Sequence, residues 1–332
     1  MEHLPIAIAE PTRYDALQHS AVCFDRSTRG RTLIDGAQAA TMLTGLVSND
    51  VVSLGIGDGQ YAAAPNPKGK LLADCRIFVI GDGRLLVDVP SRAASGWLAM
   101  LAKFLPPRLA KHRDATRELD AIGVYGPTSA AVVASATGLP EDALLALAPY
   151  AHVPLPGGSG PAIVLRSPDL GVLGFDVVAA PTDLAPLRTA WAALPQGDDA
   201  LWTVARVEAG RPEWGLDMDE STIPQEANFD ALRAISYTKG CYTGQETIAR
   251  VHFRGHVNRH LRLLRADEAL VSGAVLFDGE RDVGDVRSSV QSPRGYAALA
   301  MVRREVAAGT TIAARTTDRE VLVTVHEVPI TP

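Results

Sequence analysis

The sequence predicts an α+β fold that ends in a small all-β barrel or sandwich. Two observations support this fold class. Over the first two thirds of the 332 residues, strand-like apolar runs alternate with segments of helical periodicity. From about residue 258, only short strand-like segments remain, and turns separate them at close spacing.

Periodicity and turn residues define the individual elements. A strand at 31–35 leads into a helix that opens at 35–40 and closes at 49–50. The strands 60–64 and 71–80 flank a segment rich in Pro, Asn and Gly, which predicts a hairpin turn. Further strands are predicted at 85–89, 119–124 and 175–178, and helices at 91–105, from 127–129, at 182–194 and at 201–210. The strands of the last quarter are predicted at 261–264, 274–277, 283–286, 297–302, 311–314 and 321–325.

Composition limits the class of protein. Hydrophobic residues make up 47% and charged residues 21%, an ordinary globular balance. The net charge of −6 argues against a general nucleic-acid binder, because neutralising phosphates requires a basic field. No apolar run is long enough to span a bilayer, so no membrane contact is expected. Residues 1–5 lack the features of a secretory signal, and we therefore expect a cytoplasmic location.

Three scattered cysteines, Cys23, Cys75 and Cys241, are typical of a reducing compartment and not of a disulfide framework. An iron–sulfur cluster is usually held by about four thiolates. One chain is therefore not expected to build a complete cluster or metal site, and shared ligation between chains is the alternative.

The most informative segment surrounds Cys241. It reads Lys239-Gly240-Cys241-Tyr242-Thr243-Gly244-Gln245-Glu246. Thr243 and Glu246 have the spacing of a capping box, which predicts a helix start at Thr243. The positive end of that helix and the cations of Lys239 and Arg250 would favour the thiolate of Cys241. The alternative is a buried cysteine that only fills space on a tight turn.

Longer motifs resemble the glycine-cleavage T-protein, a folate-dependent aminomethyltransferase. The main matching segment is Arg206-Val207-Glu208-Ala209-Gly210-Arg211-Pro212-Glu213-Trp214-Gly215-Leu216-Asp217. Further matches are found at 46–51, 59–61, 66–74, 224–227 and 284–300. The octapeptide differs from the T-protein pattern and resembles that of YgfZ-type folate-binding proteins, a family linked to iron–sulfur cluster assembly or repair and thereby to tRNA modification.

This resemblance implies three domains around a central channel that binds tetrahydrofolate or a one-carbon derivative. Residues 1–250 would form the folate-binding region, with two interleaved α+β subdomains, and 251–332 the C-terminal β-barrel. The implied partners are folate and iron–sulfur client or assembly proteins. Cys241 would be the functional thiol.

The resemblance also implies a set of folate-contacting residues. Glu208 matches the glutamate that holds the pterin, and its alternative is an ion pair with Arg206 or Arg211. Tyr61 would stack on the folate or form a hydrogen bond with it, and the alternative is an ordinary core tyrosine. The remaining implied contacts are Asn66, Arg206 and Trp214.

One departure concerns catalysis. The carboxylate pair of the T-protein is matched here by Ala73 and Asp74, so only Asp74 can serve as a catalytic or binding carboxylate. Loss of its neighbour argues against aminomethyl transfer. A folate-dependent methyl- or aminomethyltransferase that uses Asp74 is the second hypothesis.

A basic strip occupies 250–265. It contains five arginines, three histidines and no acid: Arg250, Arg254, Arg259, Arg262, Arg265, His252, His256 and His260. The strip could hold an anion such as the glutamyl tail of folate, or form a solvated edge. The histidines recur at helical spacing, but Gly255 interrupts them, and no metal site is predicted.

Overall fold

The computed structural model describes residues 6–330. Residues 1–5, which gave the expectation about a secretory signal, lie outside the described residues. The helices are α1 Pro11–His19, α2 Ala39–Thr44, α3 Ala94–Phe104, α4 Ser129–Thr137, α5 Glu141–Leu145, α6 Pro181–Ala190, α7 Asp199–Glu208 and α8 Gln245–Arg254. The strands are β1 Ala7–Ile8, β2 Val22–Asp25, β3 Gly30–Asp35, β4 Gly59–Pro65, β5 Leu71–Gly81, β6 Arg84–Val89, β7 Lys111–Asp114, β8 Asp120–Tyr125, β9 His152–Pro154, β10 Ile163–Arg166, β11 Gly174–Ala179, β12 Gln196–Gly197, β13 Arg259–Ala266, β14 Val275–Asp278, β15 Arg281–Ser292, β16 Gly295–Arg303, β17 Thr311–Arg315 and β18 Glu320–His326.

Two sheets form the first two thirds of the chain. Their strand orders are β4-β5-β6-β3-β7 and β12-β2-β8-β11-β10-β9. Because successive side chains on a strand point to opposite faces, each sheet supplies two apolar layers. On β3, Leu33 packs in the core shared by the two sheets, while Ile34 packs in the core beneath α2 and α3. The sheets therefore face each other, and helices cover their outer sides.

The C-terminal strands form a closed six-stranded antiparallel barrel. The order is β15-β14-β17-β18-β13-β16, and β16 pairs back with β15. Its interior is apolar and includes Leu264, Leu276 and Val323. This confirms the predicted α+β fold class. Of the two architectures predicted for the C-terminal region, the structure has the barrel and not the sandwich. The proposed domain division after residue 250 lies within α8, four residues before that helix ends.

Helix α7 joins the sheets to the barrel. Its N-cap is Asp198, whose side chain accepts a hydrogen bond from the Leu201 amide, and the chain turns away at Gly210 with φ +70°. Leu201 and Val204 pack with α1 and barrel strands in one core. Since a helix turns once in about 3.6 residues, Arg206 and Glu208 point in nearly opposite directions.

Candidate functional site

A cavity lies where α7 meets the two facing sheets. We call it the Asp74 chamber. Its lining combines five arginines with three carboxylates and several aromatic and apolar side chains: Arg26, Arg29, Arg76, Arg206, Arg211, Asp74, Asp169, Glu213, Tyr61, Tyr150, Trp202, Pro90, Pro212 and Leu232. Of the residues predicted from the sequence to contact a ligand, Tyr61, Asp74 and Arg206 are brought together here.

Asp74 has one carboxylate oxygen without a hydrogen-bond partner among the described residues. The residue lies on β5 and is 4% exposed. Its Oδ2 accepts a hydrogen bond of 2.9 Å from the Tyr61 hydroxyl, whereas the buried Oδ1 has no partner among the described residues. Burial raises the pKa of Asp74 to about 6, against the opposing effects of Arg29 and Tyr61. The carboxyl can therefore change protonation state near neutral pH.

Arg26 is a second buried group with spare hydrogen-bonding capacity. It is 7% exposed, and its guanidinium lies 3.4 Å from the centre of the Trp202 ring. The closest described carboxylate is that of Asp169, at 3.9 Å from Nη2. The Arg26 Nε has no hydrogen-bond partner among the described residues. The chamber thus presents an acceptor on one side chain and a cationic donor on another.

An ion-pair network underlies the chamber. Arg76 on β5 donates two hydrogen bonds to Asp88 on β6 and one of 2.8 Å to Asp176 on β11. Arg29 donates to Asp88 at 2.6 Å. Burial alone would raise the pKa of Asp88, but Arg29 and Arg76 hold it well below its usual value. The network joins the two sheets and keeps these charges compensated.

Arg206 and Glu208, the two residues of α7 that the T-protein resemblance predicts to contact folate, lie in separate environments. Arg206 lines the chamber and donates to Asp217 at 2.6 Å and to Ser288 at 2.9 Å. The Glu208 carboxylate accepts hydrogen bonds of 2.6 Å from Tyr14 on α1 and of 2.6 Å from Ser292 on β15. Glu208 is not among the residues that line the Asp74 chamber, as its position two residues after Arg206 implies.

Two other residues predicted to contact folate lie outside that lining. Asn66 holds the β4–β5 turn, since its Oδ1 accepts hydrogen bonds from the amides of Lys68 and Lys70. Trp214 packs against the apolar cores on both faces of the β4-β5-β6-β3-β7 sheet.

Cys241 is exposed on a loop at 236–244, which we call the thiol loop. The Lys239 ammonium donates to the carbonyls of Thr44, Val47 and Asn49, and it lies 4.4 Å from the centre of the Tyr242 ring. These contacts attach the loop to a bridging segment at 45–49. The Lys239 ammonium therefore anchors the thiol loop through its hydrogen bonds to these three backbone carbonyls.

The predicted capping box is wrong. Helix α8 begins after Gly244, which has φ +76°, and no side chain caps it. Thr243 instead donates its amide to the Gly45 carbonyl at 3.0 Å. A Cβ at Gly244 would lie 2.4 Å from the Asn66 carbonyl oxygen, so the close approach of the β4–β5 turn requires glycine.

The other two cysteines differ from Cys241. Burial raises the pKa of Cys23 to about 11 and that of Cys75 well above its usual value. Both are buried within strands. Within residues 6–330, no group of three or more His, Cys, Asp or Glu side chains is arranged to hold a metal ion.

The basic strip is divided between two elements. Arg250 and Arg254 are exposed on α8, which ends at Gly255. Arg259 on β13 pairs with Glu226 at 2.9 Å, and Arg262 pairs with Glu327. No helix in the described part of the chain is both long and apolar enough to span a bilayer.

Comparison with known proteins identifies the family. Residues 9–237 match the model of the GCVT N-terminal domain. The chain is 31% identical over 256 residues to the tRNA-modifying protein YgfZ of Vibrio vulnificus (strain CMCP6), covering 77% of this chain and 74% of that protein. This chain belongs to the YgfZ family of GCVT-domain proteins.

Two further relatives extend this result. A YgfZ protein of Yersinia pseudotuberculosis serotype O:1b (strain IP 31758) is 27% identical over 94% of this chain and 93% of its own length. The mitochondrial iron–sulfur cluster assembly factor IBA57 homolog of Mycosarcoma maydis is 29% identical over 70% of this chain, which spans 54% of that protein. The YgfZ resemblance predicted from the octapeptide is therefore confirmed.

A solved structure supports the fold. The aminomethyltransferase T of the glycine cleavage system from Bartonella henselae superposes with a TM-score of 0.87 and covers 99% of this chain and 94% of its own, at 21% identity. The T-protein-like architecture predicted for this YgfZ-family chain is confirmed.

Several chamber residues were not found from the sequence. They are Arg26, Arg29, Arg76, Tyr150, Asp169, Trp202 and Glu213. A signal existed for Arg76, because it interrupts the apolar run of β5, and a buried charge requires a partner. Arg26, Arg29 and Asp169 lie in connecting segments that carry no periodicity.

Proposed function

We propose that the protein binds tetrahydrofolate, or a one-carbon derivative, in the Asp74 chamber and acts as an accessory factor for iron–sulfur cluster assembly or repair. Cys241 is its functional thiol, and tRNA modification is affected through cluster-containing enzymes. The partners are iron–sulfur client or assembly proteins in the cytoplasm. The names of the YgfZ and IBA57 relatives support this role.

The observation that carries the folate assignment is the buried, unpartnered Oδ1 of Asp74, a residue that lines the chamber. A pterin edge offers N–H donors, and a carboxylate oxygen is the acceptor that matches them. Tyr61 and Tyr150 supply aromatic surface, and the Arg26 guanidinium supplies a partner for a glutamate carboxylate. When bound, tetrahydrofolate supplies a carrier for one-carbon units.

This proposal assigns the pterin to Asp74 and not to Glu208. The resemblance favours Glu208, but both of its oxygens already accept hydrogen bonds from Tyr14 and Ser292. Asp74 retains an acceptor that needs a donor. The difference can be tested directly because each carboxylate can be replaced by its amide.

The first test is anaerobic calorimetric titration with tetrahydrofolate. Asp74→Asn should weaken binding by about tenfold or more, because a hydrogen bond to a charged group contributes about 1.5–3 kcal/mol. Glu208→Gln is the matched control and should bind like wild type. If tetrahydrofolate does not bind to the wild-type protein, the folate assignment is contradicted. If Glu208→Gln loses affinity for tetrahydrofolate and Asp74→Asn does not, Glu208 is the residue that holds the pterin.

The second test addresses the accessory role. A bacterial strain that lacks its own YgfZ protein is complemented with this chain, and the activity of an iron–sulfur enzyme is measured. Wild type and Cys23→Ala should restore activity, whereas Cys241→Ala should not, because Cys241 is the exposed thiol and Cys23 is buried. Full rescue by Cys241→Ala would show that this thiol is dispensable.

A methyl- or aminomethyltransferase that uses Asp74 is the second candidate. The raised pKa of about 6 favours it, because a carboxyl that titrates near neutral pH suits proton transfer. Ala73, in place of a second carboxylate, argues against it. Aminomethyl transfer to tetrahydrofolate that is abolished by Asp74→Asn would favour this candidate over the first.

A further inference from the structure

Helix α8 carries an aromatic side chain that the fold leaves in solvent. Phe253 is 66% exposed, more than any other aromatic residue within 6–330. A single exposed apolar side chain is common on protein surfaces, so its surroundings decide what it means. Two features of those surroundings, ring packing and charge, indicate an interaction surface.

The exposed ring belongs to an ordered aromatic cluster. The Phe253 ring meets the His252 ring edge-on with centres 4.7 Å apart, and it meets the Tyr237 ring at 6.0 Å. The rings of Tyr237 and His252 stack with centres 3.6 Å apart. The Tyr237 hydroxyl donates to Asp230 and accepts a hydrogen bond of 3.3 Å from Gln225. Because a side chain that is already ordered loses little entropy on association, Phe253 is prepared for a partner.

Cations flank this ring without an acidic partner. Arg250 and Arg254 are one helical turn apart on the same side of α8, Phe253 lies between them in sequence, and His256 follows the helix end. All are exposed. Within residues 6–330, no carboxylate pairs with any of the three basic side chains. Cations also stabilise the last turn of a helix, but that role does not require an exposed phenylalanine between them.

The cluster is continuous with the thiol loop. Tyr237 belongs to that loop, so its stack on His252 joins the loop to α8. The helix begins at Gln245, four residues after Cys241, and Phe253 lies about 12 Å further along the helix axis. About four extended residues of a partner would span the helix from its start to Phe253.

We propose that Arg250, Phe253, Arg254 and His256, which we call the α8 face, dock an acidic segment of the iron–sulfur client or assembly protein that approaches Cys241. This inference rests on the proposed function, which brings such a protein to the thiol. Carboxylates of the segment pair with the cations, and an apolar side chain covers Phe253. Arginine and aromatic residues are the types that contribute most to binding at protein interfaces.

The charge of the chain favours a protein partner over a nucleic acid. Its net charge is −6, and the α8 face has only two arginines. Neutralising a phosphate backbone requires a more extended basic field. An acidic peptide segment needs only a few carboxylates opposite these cations.

The test measures thiol–disulfide exchange between Cys241 of the full-length protein and activated peptides. Each peptide has one cysteine blocked as a pyridyl disulfide, followed by a segment of several aspartates around one leucine. The Cys241 thiolate attacks the sulfur of the peptide cysteine, a protein–peptide disulfide forms, and pyridinethione leaves and is followed by its absorbance. Cys23 and Cys75 are buried and should not contribute.

The measured quantity is a ratio of exchange rate constants. The aspartate peptide should react about tenfold faster than the same peptide with asparagines, because docking raises its concentration beside the thiol. Arg254→Gln should reduce this ratio about threefold or more, and added salt should also reduce it. Phe253→Ser should slow the aspartate peptide, but not a version in which serine replaces the leucine.

The matched controls are Arg303→Gln and Leu322→Ser. Arg303 is an exposed arginine of β16, and Leu322 is a 64% exposed apolar residue of β18. Each substitution removes the same kind of group as its counterpart on α8. The ratio should stay at its wild-type value in both variants.

Three results of the exchange experiment would overturn the α8 face. The first is a wild-type ratio near one. The second is an equal loss in Arg254→Gln and Arg303→Gln, which would make the effect one of total charge. The third is a loss in Arg254→Gln with none in Phe253→Ser, which would indicate a general electrostatic field without docking.

Two further measurements examine the other occupants of this face. Self-association in sedimentation equilibrium that Phe253→Ser abolishes would assign the face to a second copy of this chain. Binding of a short single-stranded RNA that Phe253→Ser abolishes, and with which the aspartate peptide does not compete, would assign it to RNA. Either result overturns the acidic protein partner, whereas a monomer that does not bind the RNA supports it.

Complementation separates this inference from the proposed function. In the strain that lacks its own YgfZ protein, Phe253→Ser should restore less iron–sulfur enzyme activity than Leu322→Ser. Full rescue by Phe253→Ser, with none by Cys241→Ala, overturns only the α8 face. Full rescue by Cys241→Ala contradicts the thiol role in the proposed function, and the exchange ratios still decide whether acidic segments dock on α8.

Discussion

At the scale of single residues, Asp74 combines a ligand-binding geometry with an energetic penalty. Its carboxyl is buried at 4% exposure, and one oxygen lacks a partner. Burial raises its pKa from 3.8 to about 6, so the folded state holds a proton that the unfolded state releases. The ionised Asp74 carboxylate therefore lowers the stability of the folded protein, as is common for groups that bind a ligand.

Replacing this carboxyl by an amide should stabilise the protein at neutral pH. Above pH 6 the ionised Asp74 destabilises the fold, and the pKa difference corresponds to about 2–3 kcal/mol. Asp74→Asn removes that penalty, so its free energy of unfolding in urea should exceed that of wild type at pH 7. The gap should shrink as pH falls from 6 and vanish below 3.8.

The control for this measurement is Asp35→Asn, an exposed carboxylate paired with Arg84. The free energy of unfolding of Asp35→Asn at pH 7 should not rise by a comparable amount. A variant Asp74→Asn that is less stable than wild type at pH 7 would contradict the assignment of a buried, penalised carboxyl.

At the scale of elements, the thiol loop depends on contacts with a segment that is distant in sequence. Bridging segment 45–49 accepts hydrogen bonds from the loop and contacts β4 on its other side, where the Ala63 amide donates to the Ser48 hydroxyl. The Asn49 side chain also donates to the Tyr61 carbonyl at 3.1 Å. One short segment therefore supports both the thiol loop and a strand of the Asp74 chamber.

Lys239→Met should loosen the thiol loop. The substitution leaves three backbone carbonyls without their cationic donor, and a hydrogen bond to a charged group contributes about 2 kcal/mol. Exchange of the Thr243 amide, which is bonded to Gly45, should then accelerate about thirtyfold in native-state hydrogen exchange. Lys68→Met, at an exposed lysine of the β4–β5 turn, serves as control and should leave this rate unchanged.

At the scale of the whole molecule, Arg76 connects the two facing sheets. Arg76→Met leaves the buried Asp176 without its cation and Asp88 with Arg29 alone, and breaking a buried pair costs about 3–5 kcal/mol. The free energy of unfolding should fall by that amount in urea denaturation. Arg84→Met removes the exposed pair with Asp35 and should change stability by about 1 kcal/mol or less. Equal effects of the two variants would contradict the bridging role.

The sequence predicted the regular parts of this molecule and missed contacts made between distant segments. All six barrel strands were predicted because their short apolar runs alternate with turns. Helix α1 and strands β2, β9 and β10 were missed, since their segments are short or mixed in polarity. The false capping box arose because Thr243 and Glu246 have the right spacing, whereas packing against the β4–β5 turn determines where α8 begins.

In the candidate site too, residues within sequence motifs were predicted, whereas residues brought in by the tertiary fold were missed. Tyr61, Asp74 and Arg206 were predicted because motifs surround them, and they line one chamber. The place of Glu208 could not be predicted from the motif, because helix geometry turns it towards Tyr14 and Ser292. Arg26 and Tyr150 reach the chamber only through the tertiary fold.

The pairing of β1 with β15 has a consequence for biosynthesis. Ala7 lies beside Val290, so a strand near the start of the described chain is completed by one near its end. During translation, β1 and α1 emerge before the barrel strands, and β1 cannot pair with β15 until the ribosome has produced that strand. Until then the apolar side of α1, including Tyr14 and Leu17, lacks its partners on the barrel strands and is more open to chaperones and proteases.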